Sequence, residues 1–203
     1  LLDVRRCGIC GSDLHAKDHA GELVDVMESV GYHDFMRNDT AVVMGHEFCG
    51  EVAERGRGTA KEFKAGALVV AFPLLRAHGG VHLTGLSPLA PGGYAEQVLA
   101  EAAMTCVVPN GLDADTAALT EPMAVASHGV SRCEPQPSGE VLVFRAGPIG
   151  LGATIAFKSL GVSHVVVADL IPGRLQKALK VGADAVINSA EENVADRLLE
   201  ESV

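Results

Sequence analysis

Apolar and polar positions follow two rhythms along this chain, and the change falls near its middle. In the first half, residues 42–44, 49–52 and 68–72 are apolar or β-branched runs bounded by turn residues, the pattern of short strands. Residues 15–30 differ. There Leu23, Met27 and Val30 recur at helical spacing, Asp18, Glu22 and Asp25 take other faces, and Gly31 stands ready to stop the helix. Residues 73–93, rich in glycine and proline, read as a loop leading into a further strand candidate at residues 94–99.

In the second half Asp113 is placed to cap a helix running through Ala117, Ala118 and Leu119, and residues 135–139 form a turn. Strands follow at 141–144, 164–168 and 185–188, alternating with helices at 148–160, 172–181 and 193–200. Such alternation, joined by short glycine-bearing loops, predicts a parallel sheet. A doubly wound nucleotide domain has two halves of this kind, and the pattern supplies one.

Composition narrows the classes without changing that picture. With 48% hydrophobic and 21% charged residues among 203, the chain has the makings of an ordinary globular core. Sixteen Lys and Arg against 26 Asp and Glu give a formal charge of −10 with no basic run, which argues against nucleic acid or an anionic membrane as partner. No segment reaches the ~18 apolar residues a spanning helix needs. Five unevenly spread cysteines argue against a disulfide framework and for the cytoplasm. The start at Leu1-Leu2-Asp3, without methionine, leads us to expect residues upstream.

Two constellations carry chemistry. The first is the strand 141–144 followed by Arg145-Ala146-Gly147-Pro148-Ile149-Gly150, a dinucleotide fingerprint in its proper strand-to-helix context. Gly147 lets backbone approach a pyrophosphate at the helix N-terminus, and Gly150 lets the helix pack closely on the strand. Asp169, about 20 residues on, ends the next strand, where a carboxylate accepts from an adenosine ribose and favours NAD over NADP. Pro148, Ile149 and Arg174 complete the candidate cofactor-binding set. Arg145 departs from the pattern, standing where its first glycine belongs. Its side chain either intrudes on the cofactor or pairs with a phosphate, and a unit binding nothing stays open.

The second constellation is Cys7-Gly8-Ile9-Cys10-Gly11-Ser12-Asp13-Leu14-His15, answered by Gly45-His46-Glu47. A thiolate and an imidazole are zinc ligands, and a catalytic zinc keeps three protein ligands and one open position. Cys7 and Cys10 alone fit a redox pair or two buried thiols equally well.

With Gly92-Gly93-Tyr94-Ala95-Glu96 and Glu121-Pro122-Met123-Ala124-Val125-Ala126, these pieces resemble the zinc-containing medium-chain alcohol dehydrogenase family, in particular its polyol, threonine and butanediol dehydrogenase branch. The resemblance implies an α/β chain with a β-rich part. Residues 1–113 would form part of a GroES-like β-barrel catalytic domain, and residues 114–203 the first half of a Rossmann doubly wound sheet, the whole truncated at both ends. It also implies one catalytic Zn2+ on Cys10 and His46, with Glu47 or Glu121 as third ligand. Ser12 takes the substrate proton, His15 follows in the relay, Glu47 ligates or swings in and out, and Asp13 orients the zinc histidine. The reaction implied is hydride transfer between a secondary alcohol or polyol and NAD by way of a zinc-bound alkoxide. The full-length form would be a homo-oligomer.

Residues 50–105 hold no cysteine, so no structural zinc is expected, and the stretch from Cys10 to His46 is longer than in most relatives. Three alternatives remain at this point: a catalytically impaired binding or structural protein, a zinc-free reductase of the same fold, and a thiol redox protein using Cys7 and Cys10.

Overall fold

β1 (Leu2–Cys7) begins a five-stranded antiparallel sheet. Its pattern was illegible in the sequence because a bulge between Val4 and Arg6 shifts the register against its neighbour. That bulge returns Cys7 to the apolar side with Leu2 and Val4, which strict alternation forbids. β2 (Phe48–Val52) and β3 (Leu68–Ala71) follow close to their predicted places. The computed structural model describes residues 1–201; residues 202 and 203, the end of the predicted second domain and of the sequence, lie outside them.

α1 (Gly11–Ser29) starts four residues earlier than the periodicity suggests. Its buried stripe is Ala16, Ala20 and Val24; Ala16 and Val24 cluster with Phe35 and Met36, and Leu23 and Met27 lie alongside. Val30 is exposed and only ends the helix. Small residues carry this face, so apolar bulk was a poor guide to it.

Two expected strands and one expected loop take other forms. Residues 42–44 form no strand; the carbonyls of Val43, Met44 and Gly45 instead accept from the N–H groups of Gly92, Tyr94 and Gly93 at 2.7, 2.9 and 2.7 Å. Residues 73–93 are not all loop. They contain the hairpin β4 (Leu74–Ala77) and β5 (Gly80–Leu83), closed by His78 and Gly79 at φ 51° and 81°, a two-residue turn of the kind that suits strand twist. The candidate at 94–99 shrinks to β6 (Gln97–Val98). After a single 3-10 turn at Ala102–Met104 comes β7 (Thr105–Val107), and the sheet order is β6-β1-β2-β3-β7. Leu2, Phe48, Val52, Phe63, Val69 and Val98 form its core.

Asp113 caps α2 (Ala114–Ala117) by accepting from the Thr116 N–H at 2.8 Å. That helix is shorter than expected, because a separate helix, α3 (Thr120–Arg132), follows it. The chain divides into two compact units, Leu1–Glu121 and Pro122–Val203, against the expected boundary at 113/114. α2 explains the difference: Ala117 and Ala118 pack on Cys49 of β2 and belong to the first unit.

The second unit follows its expected rhythm to within one or two residues. β8 (Glu140–Phe144), β9 (His164–Asp169) and β10 (Ala185–Asn188) make a parallel sheet in the order β10-β9-β8. α4 (Pro148–Ser159), α5 (Pro172–Lys180) and α6 (Val194–Glu201) alternate with them. Residues 165–168 of β9 are buried without interruption, as a central parallel strand covered on both faces should be. No helix among the described residues is long and apolar enough to cross a membrane.

Candidate metal centre and nucleotide cavity

Cys10 caps α1 at its N-terminus, and His46 and Glu47 lead into β2. The strand pairing of β1 with β2 carries these distant segments to one place. Ligand atoms of Cys10, His46 and Glu47 lie within 4.8 Å of one another, and both His46 and Glu47 are 8% exposed. Gly8 makes room for this. A β-carbon there would stand 2.3 Å from Glu47 Oε2.

Asp13 organises the group. It is 3% exposed, and its Oδ1 lies 3.0 Å from His46 Nδ1. A carboxylate only accepts, so Nδ1 carries the proton and the Nε2 side of the ring is left for a metal. The other oxygen, Oδ2, accepts from the Tyr94 hydroxyl at 2.7 Å and the Cys10 N–H at 3.0 Å. Burial pushes the Asp13 pKa up, but the bonds from His46, Tyr94 and Cys10 outweigh it and hold the group below its ordinary value. The hydrogen bond to Asp13 in turn pushes His46 up to about 9, against the effect of burial. A metal at Nε2 therefore has a proton to displace.

The remaining candidates are placed as follows. Ser12 Oγ stands 3.4 Å from His46 Nε2. His15 is exposed on α1, its ring 4.8 Å from that of His19. Glu121 is half-buried and outside the close set. Burial raises its pKa, and the charges of His46, Glu47 and Asp13 also act on it. Burial, then the charges of Asp13 and Glu47, push the Cys7 thiol up to about 12, so it lacks the thiolate a redox nucleophile needs. The sequence shows the Tyr94 motif but nothing local that ties its hydroxyl to Asp13.

In the second unit, α4 begins at Pro148 with Gly147 as its cap, at φ −78° and ψ −177° and with no side chain closing the helix end. A β-carbon at Gly147 would meet nothing within 4 Å, so the helix N-terminus stands open as a phosphate cradle requires. Gly150 is the opposite case, since a β-carbon there would fall 1.9 Å from the Arg145 carbonyl oxygen. Arg145 itself adopts the left-handed conformation at φ 73°.

Asp169 is 6% exposed, and both its oxygens hold backbone: Oδ2 accepts from the Ala146 N–H at 2.7 Å and Oδ1 from the Ile171 N–H at 2.9 Å. Arg174 Nη1 lies 3.8 Å from Oδ2. Asp169, Ile171 and Arg174, with Arg145 and Ser189, line a cavity of about 420 Å³. Asp169→Ala is expected to destabilise the second unit by about 2 kcal/mol, since two N–H groups lose their acceptor. Urea unfolding followed by hydrogen exchange in β9 reads this out, and an unchanged midpoint would show those bonds to be unimportant.

Residues 1–110 match the alcohol dehydrogenase GroES-like domain, and residues 148–202 match the zinc-binding dehydrogenase family. The chain belongs to the zinc-containing medium-chain alcohol dehydrogenases. The (R,R)-butanediol dehydrogenase of Bacillus subtilis is 36% identical over 98% of this chain and 59% of its own length. An L-threonine 3-dehydrogenase of Streptomyces avermitilis is 33% identical over 97% and 57%. Among solved structures, the Bacillus subtilis 2R,3R-butanediol dehydrogenase superposes with a TM-score of 0.76 at 32% identity, over 98% of this chain and 59% of that one. An Escherichia coli alcohol dehydrogenase complexed with NADH gives 0.79 at 28%, over 100% and 58%. The chain thus spans somewhat more than half the length of these relatives. Its first unit is the open, partial form of the GroES-like sheet, and its second a partial Rossmann-like parallel sheet.

Proposed function

We propose that the protein is a zinc-dependent oxidoreductase transferring a hydride between a secondary alcohol or polyol and NAD. The observation that carries this is the buried Asp13–His46 pair, which engages Nδ1 and leaves the Nε2 side of the ring to join Cys10 and Glu47. Carboxylate, imidazole and thiolate in that relation are the donor set of a catalytic zinc and its supporting hydrogen bond. Bound zinc supplies a Lewis acid that makes a substrate hydroxyl easier to ionise and a carbonyl easier to reduce. Cys10, His46 and Glu47 would hold it, and Glu121 is the further carboxylate within electrostatic reach. One zinc is proposed, on this set alone.

In this reading Ser12 takes the substrate proton, which its exposed hydroxyl bordering His46 Nε2 supports. His15, exposed one turn further along α1, can pass that proton to water. Gly147, Pro148, Ile149 and Gly150 supply the open helix end for the pyrophosphate, and Asp169 with Arg174 flanks the adenosine ribose. NAD rather than NADP rests on Asp169. The butanediol, threonine and sorbitol dehydrogenases among the relatives support a secondary alcohol or polyol as substrate. Five free cysteines support a reducing, cytoplasmic setting, and the family resemblance a homo-oligomer in the longer protein.

Elemental analysis tests the assignment. About one zinc per chain is expected, and its loss in Cys10→Ser. Zinc retained by that variant, or absent from both proteins, would overturn the ligand set.

A further inference from the structure

Arg145 is the one fingerprint position where this chain keeps a long cationic side chain in a backbone conformation that favours glycine. The turn is held from both sides. The Arg145 N–H donates to the Ala168 carbonyl at 2.7 Å, and the Arg145 carbonyl lies over Gly150 so closely that no β-carbon fits there. The backbone therefore fixes where the side chain leaves the turn. Arg145 is exposed, its guanidinium has no ion pair or hydrogen bond among the described residues, and it lines the nucleotide cavity together with Asp169, Arg174 and Ser189.

Charge in that cavity is unevenly committed. Asp169 spends one bond from each oxygen on backbone N–H groups, while Arg174 touches it only at 3.8 Å. Two arginines thus line a cavity whose one carboxylate is already satisfied by the main chain. Two residues on, the uncapped end of α4 adds unpaired N–H groups favouring the same sign of ligand. Planar guanidinium forks suit a phosphate better than any other group a dinucleotide offers.

We propose that Arg145 is a phosphate-binding residue of this cavity, standing with Arg174 to meet a phosphate of the adenine dinucleotide. The left-handed turn is the device that presents its side chain. This rests on the dinucleotide reading above and adds the residue that sets affinity at the adenosine end.

The test is calorimetric titration of the wild-type chain and of R145G with adenosine 5′-monophosphate, adenosine 2′-monophosphate and adenosine. R145G should lose about tenfold in affinity for at least one monophosphate and bind adenosine within a factor of about two of wild type. The monophosphate that suffers identifies which phosphate Arg145 meets. R145G should also melt at higher temperature, because glycine suits φ 73°; a loss of binding then cannot be a loss of fold. R145K should recover part of the affinity. Equal or tighter monophosphate binding by R145G would overturn the assignment and leave the dinucleotide reading standing. No binding of any of the three ligands by the wild-type chain would overturn both.

Discussion

Asp13→Ala is expected to weaken zinc binding by about 10–100-fold, the usual cost of losing the partner that orients a metal histidine. Zinc affinity measured by competition with a chromophoric chelator gives the number directly. The cause is specific. Without the carboxylate, His46 has no reason to keep its proton on Nδ1, and the ring can turn or change tautomer so that Nε2 no longer faces Cys10 and Glu47.

The same substitution removes the acceptor of the Cys10 N–H in a half-buried place, while the Tyr94 hydroxyl keeps the Gly8 carbonyl at 3.1 Å. With the His46 bond also lost, a stability loss of about 2 kcal/mol is expected, read as a lower urea midpoint of the metal-free chain. Asp13→Asn separates the two effects. Its amide oxygen can still accept from His46 Nδ1, but its amide nitrogen then meets the Cys10 N–H, donor against donor. The asparagine variant should thus fall between wild type and alanine in zinc affinity. Unchanged zinc affinity in Asp13→Ala would show that Asp13 does not position the histidine.

Gly150→Ala carries the second large effect. The added β-carbon would fall 1.9 Å from the Arg145 carbonyl, which is main chain and cannot rotate away. The turn is tied further by the Arg145 N–H to Ala168 and the Ala146 N–H to Asp169, so relief means moving α4 off β8 and β9. Overpacking of this kind costs about 3 kcal/mol. Hydrogen exchange in β8 and β9 should accelerate while that of β2 and β3 stays as it was. Gly147→Ala is the control, since its β-carbon meets open space at an ordinary φ of −78°. It should leave stability within about 0.5 kcal/mol. Equal stability of the two variants would mean that α4 does not pack as closely on the turn as the structure shows.

The second unit was largely legible because its information is local and periodic. Residues 165–168 read as a buried parallel strand, and the two prolines at 148 and 172 mark helix starts. The first unit was less so, for reasons visible in particular residues. β1 breaks its alternation at a bulge, and the β4–β5 hairpin hides in a glycine-rich stretch because its turn is His78–Gly79 and not one of the commoner pairs. α1 begins early because Asp13 closes its end on the Cys10 N–H, and cysteine is not among the usual capping residues. That early start puts Ser12 and Asp13 in the first turn of the helix, where both reach His46.

The sequence by itself determined the donor types at Cys10 and His46, with Glu47 and Glu121 singled out by the family resemblance, and the strand–helix alternation that begins with the glycine-bearing turn at residues 145–150. Those properties belong to single residues and to short-range periodicity. Only the tertiary structure decided that Cys10, His46 and Glu47 meet while Glu121 stands apart, which nitrogen of His46 holds the proton, and that Tyr94 shares Asp13. It also decided that Arg145 takes a left-handed turn over Gly150 and that Asp169 is bound to backbone. Each of these depends on distances between segments far apart in the chain. Strand pairing and packing fix such distances, and no local pattern of residues encodes them.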